Sequence, residues 1–215
     1  MRRFSLRFAR RCGILSVNLD VKNKGDVPMA FLLTDSAAAL PAETLPALKI
    51  THFYGAPARG RVYAYMRCYV RRGTLHWCAT VFDGAPPATA RIALAITPDD
   101  TVSRYFFLSV GKDSPARLSL RRRGTPDAEV ETLALPAPRR VAGADEQGEY
   151  WGAEGELPAA VFRRAFGTAP KAGSLLPGNV FLYDEAERAF GAAFPCPGCE
   201  GPSANAFGTF LVVPY

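Results

Sequence analysis

RVYAYMRCYV (61–70) and LHWCATVF (75–82), joined by RRGT, form the stretch on which the fold turns. Both halves are rich in aromatic and β-branched residues and meet at a glycine, the signature of an antiparallel hairpin. Pairing positions that sum to 146 centres the turn near Gly73, the residue best suited to a positive φ. In that register Ala64, Met66, Cys68 and Val70 share a face with Cys78 and Phe82, which reads as core. Tyr63, Tyr65, Arg67 and Tyr69 share the other face with Trp77 and Val81. Tyr69 then lies directly opposite Trp77, and the second face is aromatic with a charge in it.

Outward from the hairpin the pattern repeats. Short strands are expected at 90–97, 104–111, 116–123 and 129–135, each bounded by Asp, Gly or Pro clusters. Residues 29–60 read as irregular, with one strand at Leu48–Phe53, and 136–149 read as a polar connection. A strand at 150–157 leads into one short helix, PAAVFRRAFG (158–167), where Pro158 suits the first turn and Gly167 the stop. Strands at 179–184 and 208–213 complete the chain. Nine or ten strands with a single helix near the C-terminal part predict an all-β fold, a jelly-roll β-sandwich, in one domain over residues 29–215.

The 215 residues are 48% hydrophobic and 21% charged, the balance of an ordinary globular chain. No apolar run approaches eighteen residues, which excludes a membrane-spanning helix as an expectation. Of 26 basic and 20 acidic residues, seven and two lie in 1–28, leaving 19 and 18 for the rest. The excess of positive charge is thus a property of the leader, and the body carries no footprint for nucleic acid. Lys24-Gly25-Asp26 can be encoded by a purine-rich ribosome-binding sequence ahead of Met29, so translation is expected to start at Met29. The alternative is a basic tail that binds an acidic surface. The start has no apolar segment of signal-peptide length, which points to the cytoplasm.

Several short motifs occur in order over the last third: WGAEGELP (151–158), the helix-ending FG at 166–167, GNVF (178–181), FGAAFP (190–195) and FGTFLV (207–212). In these the chain resembles the family 9 carbohydrate-binding modules and the type 9 members of the DOMON-like superfamily. The resemblance implies a jelly-roll sandwich with a sugar-binding face, where relatives grip a sugar between two tryptophans; many relatives are exported. It also implies losses. The tryptophan of the family's F-G-S-W turn is Ala193, a second aromatic is Ala153, and acidic and amide positions on the middle strands correspond to Ala93, Ser109 and Gly111. Calcium-binding carboxylate clusters are not evident.

Binding a sugar needs an aromatic surface for its C–H face and a few polar groups for its hydroxyls. The expected ligand-binding residues are therefore Tyr65, Arg67, Tyr69 and Trp77, with Phe194 standing in for the lost tryptophan. The partner is expected to be a carbohydrate or a small polar ligand. The competing reading buries that face and leaves an interaction or structural protein; open rings of Tyr65, Tyr69 and Trp77 in a groove favour binding, buried ones favour interaction. Glu154 and Glu156 alternate on one strand, as a glycosidase pair or as a solvated rim. His52 and His76 belong to no catalytic motif, and no enzyme activity, cofactor or metal is expected. Cys68 and Cys78 oppose each other across the hairpin in the assumed register and read as buried thiols. The CPGC at 196–199 admits free loop thiols, a labile disulfide, or half of an intermolecular zinc site.

Overall fold

The computed structural model describes residues 29–56 and 60–215, together with the backbone of a two-residue strand at Leu15–Ser16. The remainder of the basic leader lies outside the described residues. Fifteen strands and one α-helix occur among the described residues, more strands than the nine or ten expected. In chain order they are β1 (Leu15–Ser16), β2 (Met29–Asp35), β3 (Leu48–Lys49), β4 (His52–Tyr54), β5 (Ala64–Arg71) and β6 (Thr74–Val81). Then follow β7 (Ala90–Ile96), β8 (Arg104–Gly111), β9 (Arg117–Arg122), β10 (Ala128–Leu133), β11 (Arg139–Asp145) and β12 (Gly148–Leu157). The helix α1 (Ala159–Phe166) precedes β13 (Leu175–Asp184), β14 (Phe190–Ala192) and β15 (Gly208–Pro214).

The fold is all-β, as expected. One continuous ladder runs β10-β9-β8-β7-β13-β15-β2-β5-β6-β12-β11. It is mixed, because β2 lies parallel to both β15 and β5 while the other pairs are antiparallel. The ladder curls until its two arms share a core. Leu94, Phe106 and Leu118 from one arm pack in the same cluster as Met66, Trp77 and Trp151 from the other. None of the described helices is long and apolar enough to cross a membrane.

The hairpin exists, one residue out of the expected register. Tyr65 pairs with Thr80 and Arg67 with Cys78, so paired positions sum to 145. The cause is a two-residue turn at Arg72-Gly73, both left-handed at φ 52° and 79°, the geometry whose twist matches the flanking strands. A one-residue slip moves every side chain of one strand to the other face. Trp77 therefore turns into the core opposite Cys68, Cys78 turns outward opposite Arg67, and Tyr69 faces His76 rather than Trp77. Trp77 packs over Gly155 of the next strand, where a Cβ would stand 2.9 Å from its Cζ2. Cys68 and Cys78 point to opposite sides of the sheet and do not oppose each other.

Two further expectations change. Residues 29–35 form β2 in the middle of the ladder, and the polar connection contains β11, which pairs with β12 along its whole length. The helix forms as expected between Pro158 and a left-handed Gly167, whose N–H donates to Arg163 O at 2.8 Å. It buries Phe162 against the edge of Phe106.

A second, smaller core covers the opposite face of β7, β8 and β13. There Ala93, Ala95, Phe107 and Phe181 lie beneath Cys196, Ala204 and Ala206 from the loop that leads to β15. Asn179 ties that loop down from below. Its Oδ1 accepts from the Phe194 N–H at 2.9 Å, and its Nδ2 donates to Ala206 O at 2.7 Å. Asp127 holds it from the side, accepting from the Ala204 N–H and the Tyr105 hydroxyl, each at 2.8 Å.

Candidate functional site

Antiparallel register assembles the site. On the outer face of β5, β6 and β12, Arg67, Cys78 and Glu154 form one row, and Tyr69, His76 and Glu156 form the next. β11 extends the first row, because Arg139 stands opposite Glu154. Two irregular segments wall this floor: Leu40, Ala42 and Leu45 on one side, Pro136 and Ala137 on the other. Between them lies an open cavity of about 440 Å³, within the range of small-ligand sites.

The floor is held by its own contacts. The Tyr69 and His76 rings stack with centroids 4.6 Å apart and planes 12° from parallel. Burial and the nearby Arg71 hold the His76 ring below its ordinary pKa, with Glu156 opposing them, so the imidazole is neutral at neutral pH. Glu156 Oε2 lies 3.9 Å from His76 Nδ1. Arg139 Nε and Glu154 Oε1 are 2.6 Å apart, an ion pair with both partners partly exposed. Burial, and then the Glu154 carboxylate, push the Cys78 thiol up, so it stays protonated and a poor nucleophile. Arg67 lies with its Cζ 4.5 Å from the Tyr65 ring centroid and donates from Nη1 to the Tyr65 hydroxyl at 3.2 Å.

Of the residues singled out from sequence, Arg67, Tyr69 and Trp77 border the cavity, and Tyr65 holds Arg67 from beside it. Their rings do not make an open platform: Tyr69 is 8% and Trp77 3% exposed, and Tyr65 is half-buried against Phe82. Phe194 stands apart, 8% exposed, edge-on to Phe210 at 5.7 Å and pressed against Gly208. Its ring is used in packing. The residues that sequence reasoning left out of the site are His76, Cys78 and Arg139, along with the wall at Leu40–Leu45. The alternation of Glu154 with Glu156 was a visible signal, but the correct register and β11 were needed to join it to Arg67.

The positions that the family resemblance assigns to sugar contact lie elsewhere. Ala93 and Ser109 pair across β7 and β8 and are buried, as is Ala193. The loop 194–207 occupies that face. Within it CPGC makes a tight turn, with Gly198 at φ 75° and the Cys199 N–H donating to Cys196 O at 3.3 Å. Both thiols are free. Burial and the neighbouring Cys199 push the Cys196 thiol up to about 12. Among the described residues no three His, Cys, Asp or Glu side chains converge as metal ligands.

No family model matches the sequence. Two solved structures share the fold. A candidate carbohydrate-binding protein from Bacteroides uniformis matches with a TM-score of 0.64 at 13% identity, over 85% of this chain and 98% of its own. A family 9 carbohydrate-binding module from Caldicellulosiruptor kristjanssonii, solved in complex with glucose, matches with a TM-score of 0.52 at 10% identity, over 86% and 96%. At such identities the likeness is one of fold.

Proposed function

We propose that this chain is a divergent jelly-roll relative of the family 9 modules, of the DOMON-like kind, that binds without catalysis. Its ligand is a saccharide or another small polar molecule, and its site is the cavity on the outer face of β5, β6 and β12. The observation that carries this reading is the pattern of that floor. Donors (Arg67 on β5, Arg139 on β11) lie to either side of the acceptors (Glu154 and Glu156 on β12), beside the Tyr69–His76 stack and under apolar walls. A ring of hydroxyls needs both kinds of partner, and its C–H faces need apolar contact. In this reading Arg67 meets the ligand, Tyr65 positions Arg67, Tyr69 backs the His76 ring, Trp77 supports the floor from the core side, and Phe194 has no part in the site.

A glycan array followed by isothermal titration on the full chain tests the proposal. Saccharide binding is expected, and Glu154→Gln is expected to weaken it by about tenfold, the worth of one charge-assisted hydrogen bond. No binding to any mono- or oligosaccharide at millimolar concentration would overturn it. The burial of the Tyr69 and Trp77 rings, and of Ala93, Ser109 and Ala193, favours a second reading, a structural or interaction sandwich that has lost its sugar site. That reading gains if the array is blank.

A further inference from the structure

Resting on the reading that this cavity takes a saccharide, we propose that its ligand is an acidic sugar, whose carboxylate is received by Arg67. The charges around the cavity are paired, open to water or beyond its edge, with one exception. Arg139 is paired with Glu154 at 2.6 Å. His76 is neutral and serves only as a neighbour of Glu156, which is 45% exposed and open to water. Glu43, in the turn Ala42–Thr44 of the wall segment, is exposed as well. Arg71 lies at the strand end, beyond His76.

Arg67 differs from all of these. It is partly buried, and no carboxylate lies within ion-pair distance of it among the described residues. Its one hydrogen bond goes to a neutral hydroxyl, that of Tyr65, and its Nε is buried without an acceptor among the described residues. A guanidinium partly withdrawn from water, with its Nε left without an acceptor, is costly to the fold. Here it is also fixed in place, stacked on Tyr65 and tethered to the same ring's hydroxyl. A cation held rigid beside a cavity, without a protein counter-charge, is arranged for an anion that arrives from outside.

The fork of a guanidinium matches the planar, two-oxygen geometry of a carboxylate. One unpaired cation balances one negative charge. The carboxylates of Glu43, Glu154 and Glu156 nearby disfavour a more highly charged group such as a phosphate monoester. The remaining polar groups of the floor then serve the ring hydroxyls. A uronic acid meets both demands.

Isothermal titration of the full chain with glucuronate and galacturonate, against glucose and galactose, tests this directly. The uronates are expected to bind about tenfold or more tightly than the neutral sugars. Arg67→Gln is expected to weaken uronate binding much more than neutral-sugar binding, so that the two affinities converge, and Arg67→Lys to retain part of the difference; circular dichroism checks that each variant folds. Neutral sugars binding as well as uronates would sink the inference and leave the saccharide reading standing. Neither class binding at millimolar concentration would remove both. A preference that survives Arg67→Gln, or inorganic sulfate competing as well as glucuronate, would also overturn the assignment. The comparison on the unaltered chain decides even if both variants fail to fold.

Discussion

Arg91 is 1% exposed, which for an arginine demands an account. Its Nε lies 2.8 Å from Glu185 Oε1, and its Nη1 reaches Ser109 Oγ and Pro115 O at 3.4 Å. The guanidinium thereby ties β7 to the turn after β13. Removing only the acid strands a buried cation, whereas replacing the cation by an apolar side chain leaves no charge to desolvate. Glu185→Ala is expected to cost about 2 kcal/mol, discounted because the carboxylate is itself partly exposed, and Arg91→Met less. Urea unfolding of the two variants checks the order; an Arg91→Met variant that is the weaker of the two would contradict it. At this scale the sequence was only partly legible. Arg91 reads as a strand residue like any other, since its partner Glu185 lies far along the chain and nothing local announces the pairing.

The hairpin of β5 and β6 shows where element-level reading holds and where it fails. Alternation along each strand was legible, because core-facing residues recur at every second position. The register was not, because RRGT can place either one or two residues at the apex, and one residue decides which face Trp77 and Cys78 occupy. β11 was hidden for a different reason. RRVAGAD is an exposed edge strand, polar enough to read as a connection, although it supplies Arg139 to the cavity. The turn also carries a measurable strain. Arg72 sits at φ 52°, a region that asparagine tolerates far better than arginine. Arg72→Asn is expected to stabilise the protein by about 0.5 kcal/mol, a small upward shift in Tm by calorimetry. A fall in Tm would count against the two-residue turn.

For the molecule as a whole, the loop 194–207 covers one face of β7, β8 and β13, and its clamps set its response to pH. Burial pushes the Asp127 carboxyl upward, but hydrogen bonds from the Ala204 and Gly124 N–H groups, the Tyr105 hydroxyl and Ser203 outweigh that effect. The net shift is downward. A carboxyl whose pKa is lower folded than unfolded stabilises the fold above the ordinary carboxylate range, and the contribution is lost as pH falls through the folded value. The loop is therefore expected to loosen under acid, and Asp127→Asn to be loosened already at neutral pH with a flatter acid response. Limited proteolysis with an acid protease, mapped for cuts within 194–207, reads this out. Equal protection of both proteins across the acid range would remove Asp127 from the account.

β2 lies between the last strand and the hairpin, parallel to both, so it is the seam at which the two arms of the ladder join. Its partner β15 is roughly the whole chain away in sequence. Pairings at such separation are the slowest to form, since a long loop must close before any contact repays it. On the ribosome this means that β2 emerges early and waits with an unpaired edge until residues 208–214 follow. Until β15 arrives the ladder stays open, and it is this one late pairing that turns two half-sheets into one body.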